Sequence, residues 1–414
     1  MASHKKSASA AESQAPAGLT TKSGVDALRS QIAFLILTVF IILIAAGCAE
    51  TPTTVGAKLL PTGDFLQLDT SVVWATKSYN GPIIPTTSVA PRVLIGNTGG
   101  LQCWGLYRFT LLPDSIRLHP IVSAELNLRT IYHFGDSLAP FSMAVHQILM
   151  NWTTDSLTID SLKTAGFYQT TPSGVWNPSP IGDTSTLTIP LDTNMIRSWG
   201  TVSDSIINNF GVLLRPTNNN VVKGFGTFNV SDVAFGPRLL LRFRDSAGNI
   251  DTLTMSTGSN RFVTTGMNPA WSSDPTHLWV MNGGAERGYI QFDVSTIPLH
   301  AAIHKATLEL TLDSPNSRFN YFTADSAYAY FTDTSGTTLT YISAVGSPVQ
   351  IGTAKVYQFP VGPFVQRWVR GASLQRIAIA GFDEYFALDL FSFYGAQSAQ
   401  ALKPKLTVIY SILQ

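Results

Sequence analysis

Two stretches of this chain carry the same blocks in the same order, so the chain has to fold as two like units. Leu106-Tyr-Arg-Phe109, Pro113 and Val122-Ser-Ala-Glu-Leu-Asn-Leu128 match Tyr289-Ile-Gln-Phe292, Pro298 and His304-Lys-Ala-Thr-Leu-Glu-Leu310. The step from Phe to Ala is fifteen residues in the first copy and fourteen in the second. Ile189-Pro-Leu191 leads to Met195-Ile-Arg-Ser-Trp199, as Phe359-Pro-Val361 leads to Phe364-Val-Gln-Arg-Trp368. An apolar strand follows in each, Phe210-Gly-Val-Leu-Leu-Arg215 and Arg376-Ile-Ala-Ile-Ala380. Each copy closes on Pro, a basic residue and a strand: Pro237-Arg-Leu-Leu-Leu-Arg-Phe243 and Pro404-Lys-Leu-Thr-Val-Ile-Tyr410. The expected organisation is a leader over 1–47, a tether over 48–65, a first unit over 66–244, a linker over 245–257 and a second unit over 258–412.

The blocks read as strands. Ala124-Glu-Leu-Asn-Leu-Arg129 and Ala306-Thr-Leu-Glu-Leu-Thr-Leu312 alternate apolar and polar residues, which sends one set of side chains into a core and the other into water. Leu126, Leu128, Leu308 and Leu310 are the expected interior. Turn residues punctuate at short intervals, as in Asn97-Thr-Gly-Gly100 and Asn282-Gly-Gly284. Many short strands with Gly, Pro and Asn breaks predict an all-β sandwich or barrel. With 45% hydrophobic residues the chain has ample material for two cores.

Charge excludes some functions. Lys and Arg number 27 against 26 Asp and Glu, and basic runs are missing, so nothing here forms an electrostatic footprint for nucleic acid. Two cysteines cannot build a disulfide framework or a Cys-rich zinc site. Cys103, inside a strand-like stretch, reads as a small buried apolar residue.

The start of the chain speaks of export. Met1 to Gln31 is rich in Ser, Ala and Lys and has no apolar period. Ile32 to Ala46 is fifteen residues without a charge, short of the ~20 that a spanning helix needs. A positive flank, a short apolar core and small residues at its end describe a secretory signal. Ala45-Ala46-Gly47-Cys48 resembles the lipobox of bacterial lipoproteins. That resemblance implies lipidation of Cys48 as the new N-terminus, and Ala49 after it points to the outer membrane or cell surface. The sequence departs at Ala45, where Leu is commoner, and the long leader suggests an internal start. The alternative is an uncleaved anchor helix that ends at an incidental Cys.

The aromatic-x-Phe, Pro and Val/Ile-x-x-Ala-x-Leu-x-Leu blocks, the Asn151-Trp-Thr-Thr-Asp-Ser-Leu-Thr158 segment and the closing Pro-x-Leu strand resemble the DNRLRE domain, a relative of carbohydrate-binding modules. The resemblance implies tandem jelly-roll-type β-sandwiches over nearly all of 66–412. Copy two departs, because Tyr330-Phe-Thr-Asp-Thr-Ser-Gly-Thr-Thr-Leu-Thr340 lacks the Trp, so sugar contacts do not transfer residue by residue.

Candidate binding residues are Trp176 and Trp271, each in a turn-rich setting outside the shared blocks. Two readings stand side by side: an exposed indole that stacks on a sugar ring, or a lid folded onto its own unit. Trp199 and Trp368 hold equivalent places and are expected to fill the same core hole twice. Asp383-Glu384, and Asp155 with Asp160, are unpersuasive as the carboxylate pair of a glycosidase. No Gly-x-Ser-x-Gly elbow, zinc helix or phosphate loop occurs. His300 and His304 stand four apart, but in a strand setting that does not bring them together. Acids near Asp232 or Asp325 offer oxygen ligands for a structural Ca²⁺ without demanding one, and no cofactor is expected. The expectation is a non-enzymatic, lipid-anchored envelope protein that binds polysaccharide. The alternatives are a structural or adhesive subunit contacting other envelope proteins and, less favoured, a polysaccharide-degrading enzyme.

Overall fold

The alternating segments become strands, and the turn residues separate them. The computed structural model describes residues 67–412 apart from 84–85, 111, 114–116, 118, 154–156, 201–208, 218–219, 266–273, 285, 321–324, 333–338, 373 and 383. Strands β1 (Asp69–Trp74) and β2 (Lys77–Pro82) come first. Next are β3 (Arg92–Thr98), β4 (Leu101–Phe109), β5 (Ile121–Gly135), β6 (Pro140–Gln147) and a short helix α1 (Ile159–Leu162). β7 (Gly174–Pro180), β8 (Thr186–Leu191), helix α2 (Thr193–Gly200), β9 (Val212–Pro216) and β10 (Val221–Gly226) lead to β11 (Arg238–Arg244) and β12 (Ile250–Thr264). Then come β13 (His277–Met281), β14 (Glu286–Gln291), β15 (Ala302–Thr311), β16 (Ala327–Thr332) and β17 (Leu339–Ile351). β18 (Ala354–Pro360), helix α3 (Gly362–Trp368), β19 (Arg376–Gly381), β20 (Leu390–Tyr394) and β21 (Lys405–Ser411) complete the described chain.

The strands form two antiparallel networks, each folded back on itself as a sandwich. In the first, β5 and β12 run through both layers. One end of each pairs with β11, and the other with β10 or β4, with a break of register in β12 between Thr257 and Ser259. Leu126, Leu128, Leu239 and Leu241 from one layer meet Val93, Ile95, Val222 and Phe225 from the other in one core. In the second network β17 plays that part, pairing with β16 along one half and β18 along the other. Leu308, Leu310, Leu406 and Val408 there meet Ile290, Ile377, Ile379 and Phe391. The four leucines expected inside are at most 1% exposed. Burying each contributes roughly 1.5–3 kcal/mol.

Helices α2 and α3 carry Trp199 and Trp368, both 3% exposed. Their rings lie 6.3 Å from Phe109 and 6.4 Å from Phe292, which are matched positions of the two copies. The same hole is filled twice by the same pair of aromatic residues.

The networks divide the chain differently from the boundaries read off the sequence. β1 pairs with β21 and β2 with β14, so 69–82 belongs to the second sandwich although it precedes the whole of the first. Residues 245–257, read as a linker, are a hairpin turn and the first half of β12, which pairs with β11 and then β4 of the first sandwich. Asp245 closes that turn by accepting the Asn249 N–H at 2.7 Å. The stretch reads as a linker because Ser, Thr and Asn dominate it and its apolar residues do not alternate. Met255 nevertheless reaches the first core, and Leu253 packs against it.

The sandwiches touch one another. Trp279, Met281, Leu388 and Leu390 of the second pack into the core of the first. The Tyr132 hydroxyl accepts the Leu388 N–H at 3.0 Å, and the Thr264 hydroxyl donates to the Gly283 carbonyl at 2.8 Å. No described helix is long and apolar enough to cross a membrane.

Candidate functional site

Strands β16, β19, β14 and β2 lie side by side in the second sandwich. Ala327, Ala329, Phe331, Ile377, Ile379 and Ile290 occupy the positions that face the core. Strand geometry sends their neighbours to the other face. One row across that face reads Tyr330, Ala378, Tyr289, Tyr79 in direct register. In the adjoining row Tyr328 pairs with Ala380, and Arg287 with Gly81. The result is a floor of small residues between tyrosines.

The rings are held in place. Tyr79 and Tyr289 stack at 5.2 Å with planes 14° apart. Gly81 makes this possible, since a Cβ there would lie 2.7 Å from the Tyr289 ring. The Arg376 guanidinium sits 5.7 Å from the Tyr79 ring centre and 5.6 Å from that of Tyr289, and it donates to the Tyr79 hydroxyl. Such cation–ring contacts contribute about 0.5–2 kcal/mol each. On the other side Tyr328 stacks on Phe382 at 5.1 Å and lies 5.5 Å from Tyr330. Phe382 is 41% exposed and Tyr385 40%.

Charge at the site is paired. Arg287 donates two hydrogen bonds of 2.6 Å to the buried carboxylate of Glu384, from Nε and from an Nη. Burial works against the Arg287 charge, but the bonds to Glu384 outweigh it and hold the guanidinium above its ordinary pKa. Burial, helped by the Glu384 charge, pushes the Tyr330 phenol up to about 12. The Tyr289 and Tyr330 hydroxyls, both raised by burial and the Glu384 charge, therefore stay protonated at neutral pH and keep an O–H to donate.

The same face of the first sandwich is closed. Block matching and register put Trp104, Leu106, Leu213 and Val263 where the second has Arg287, Tyr289, Ala378 and Gly81. These four join Ile148, Trp152, Ile159, Leu162 and Phe167 in a third apolar cluster. The cover comes from the chain between β6 and β7. Thr158 and Ser161 form a capping box that starts α1 there, and the Trp152 indole donates to the Phe210 carbonyl at 2.7 Å. The Asn151-Trp152 segment that carried part of the DNRLRE resemblance is thus a packing element. Copy two lacks the Trp, and six residues separate β16 from β17 there, against twenty-six between β6 and β7.

The residues singled out from sequence fall elsewhere. Cys48, Trp271, Asp155 and Asp383 lie outside the described residues. Trp176 is not in a turn: it sits on strand β7 opposite Met143, half-buried against the first core. The turn-like Asn-Pro-Ser-Pro run after it misled, since Pro is tolerated on the free side of a sheet-end strand. Asp160 is exposed on α1, and Glu384 is engaged by Arg287. His300 and His304 are exposed, with His304 Nε2 2.9 Å from the Ser411 hydroxyl. Asp232 accepts the Ala234 N–H, and Asp325 pairs with Lys355. Among the described residues no group of three or more His, Cys, Asp or Glu converges as metal ligands would. Sequence reasoning missed Tyr79, Arg287, Tyr289, Tyr328, Tyr330 and Arg376. Their signal was the alternation Arg287-Gly-Tyr289 and Tyr328-Ala-Tyr330, whose outward positions are aromatic or cationic.

No family model matches the chain, and no curated protein matches it. Among solved structures the chain is similar to one in the structure of the Macrobrachium rosenbergii nodavirus, at 10% identity over 85% of this chain and 91% of that one. The TM-score is 0.12, too low to bear on fold or function.

Proposed function

We propose that this protein is a non-catalytic, lipid-anchored component of a bacterial cell envelope that holds polysaccharide on the outer tyrosine face of its second sandwich. One observation carries the binding role: the face that the first sandwich fills with an apolar cluster carries in the second the half-buried Tyr79, Tyr328 and Tyr330 and guanidinium groups above a buried floor of Tyr289 and Ala378, with the exposed Phe382 and Tyr385 beside them. Tyrosine faces suit the C–H faces of sugar rings, and their hydroxyls offer donors and acceptors to sugar hydroxyls. The anchor rests on the lipobox-like Ala45-Ala46-Gly47-Cys48. Each buried CH₂ of an acyl chain contributes about 0.8 kcal/mol, so several chains on Cys48 would hold the protein at a membrane.

Affinity electrophoresis through gels of neutral and acidic polysaccharides tests the binding role. The wild type is expected to be retarded by at least one of them. Tyr79→Ala and Tyr330→Ala should each weaken retention two- to tenfold, the equivalent of about 0.5–1.5 kcal/mol for a lost ring contact. Folded protein that migrates freely through every gel would remove sugar binding from the account. For the anchor, labelled fatty acid should enter the wild type, and a Cys48→Ala variant that still labels would refute it.

A second reading has support from the same face. Tyr and Arg are enriched at the centres of protein interfaces, so an envelope protein is the alternative occupant. Crosslinking in cells that captures one fixed protein, together with silence in the gels, would select it.

A further inference from the structure

The position beside the last strand of each sandwich is filled in one way by two different segments. In the first sandwich Phe243 lies opposite Asp251, Arg238 opposite Ser256 and Leu106 opposite Arg261. In the second, Tyr410 lies opposite Asp69, Lys405 opposite Trp74 and Tyr289 opposite Tyr79. Phe243 and Tyr410, Arg238 and Lys405, and Leu106 and Tyr289 are matched positions of the duplicated blocks. One constant offset therefore carries 69–82 onto 251–264 residue for residue. The first sandwich fills its seat with the strand that follows β11 through a hairpin. The second receives its filling from the opposite end of the chain.

The two fillings are held differently. β12 is unbroken and contributes Met255 and Phe262 to the first core and Val263 to the cluster beneath α1. β1 and β2 are separated by Ala75 and Thr76, and only Val73 and Ala75 of this segment belong to the second core among the described residues. β1 is the end strand of its sheet, and β2 pairs with β14 alone. Backbone pairing, the stacking of Tyr79 on Tyr289 and the hydrogen bonds of Ser78 and Asn80 hold the segment, and the same segment of any other copy reproduces each of them.

We propose that 69–82 is a donor segment that can complete the second sandwich of a second copy of this chain in place of its own, so that copies join head to tail by strand exchange. The contacts made between copies are those given up within one, so concentration decides the balance. Donor and seat are different surfaces, which makes the contact heterologous: it closes into a small ring or extends into a filament.

Paired cysteines test this in the full chain, in a Cys48→Ser background with Cys103 buried. Val72 and Thr407 stand opposite one another across β1 and β21, and Val72 is half exposed. Chains carrying Val72→Cys and Thr407→Cys, with different tags, are refolded together at rising concentration and oxidised. The expected result is a disulfide between unlike tags that rises with concentration. It should exceed tenfold the yield from Val72→Cys mixed with Leu138→Cys, a more accessible site on the first sandwich. The double variant should give a linked monomer together with a ladder of dimers and larger species. Oxidation confined to single chains at every concentration, or equal yield with Leu138→Cys, would overturn the proposal. A double variant that forms no disulfide of either kind would overturn the register beneath it.

Discussion

At the scale of single residues, Glu286 stands out because it is charged, 5% exposed and has a carboxyl oxygen that no described group reaches. Burial pushes its pKa up to about 7. The unfolded chain holds that proton less tightly, so stability is greatest in acid and declines as pH rises from the ordinary carboxyl value towards 7. The slope from this group is at most about 1.4 kcal/mol per pH unit. Glu286→Gln should flatten it and stabilise the protein above pH 7, as read from denaturant midpoints across pH. A variant with an unchanged slope would assign the pH dependence to other groups. Arg287, next in sequence, shows the contrast: its charge is buried too, but Glu384 meets it with two hydrogen bonds.

At the scale of elements, the cover over the first sandwich and the exchanged strands show what local sequence reveals. Trp152 is 5% exposed, and the Arg108 guanidinium lies 4.6 Å from its ring centre. Trp152→Ala should cost about 3–5 kcal/mol and expose the apolar bed of Trp104, Leu106, Leu213 and Val263. A fall in the urea midpoint with a rise in hydrophobic-dye binding would show it, and an unchanged midpoint would deny the cover its role. The strands around Leu126 and Leu308 were legible because period-two alternation is a local property. β12 was not, because polar Thr257, Asn260 and Arg261 are buried at and beyond its change of register, and its second partner, β4, is far away in sequence. Nor was the position of β1 and β2 legible, since nothing in Asp69-Thr-Ser-Val-Val-Trp74 says which of two equivalent seats it will take. The tyrosine face was half legible: alternation places Tyr328 and Tyr330 outward, but only register across strands reveals Tyr289 and Tyr79 in the same row.

At the scale of the whole molecule, residues 67–414 cluster as one compact unit although they hold two sandwiches. Four residues of the second sandwich sit in the core of the first, and the second is incomplete without a segment that precedes the first. Neither sandwich has a complete set of contacts once the other has melted. Calorimetry should therefore record one transition whose calorimetric and van't Hoff enthalpies agree. Two resolved transitions would mean that the contacts between the sandwiches contribute little.

The pairing of β1 with β21 has a geometric corollary, because Asp69 runs opposite Tyr410 and the first and last described strands are neighbours. Topologically the fold is a loop that happens to be opened there. A circularly permuted chain, sealed by a few residues between β21 and β1 and opened at the exposed Asp245–Asn249 hairpin, would keep every strand beside its present partners.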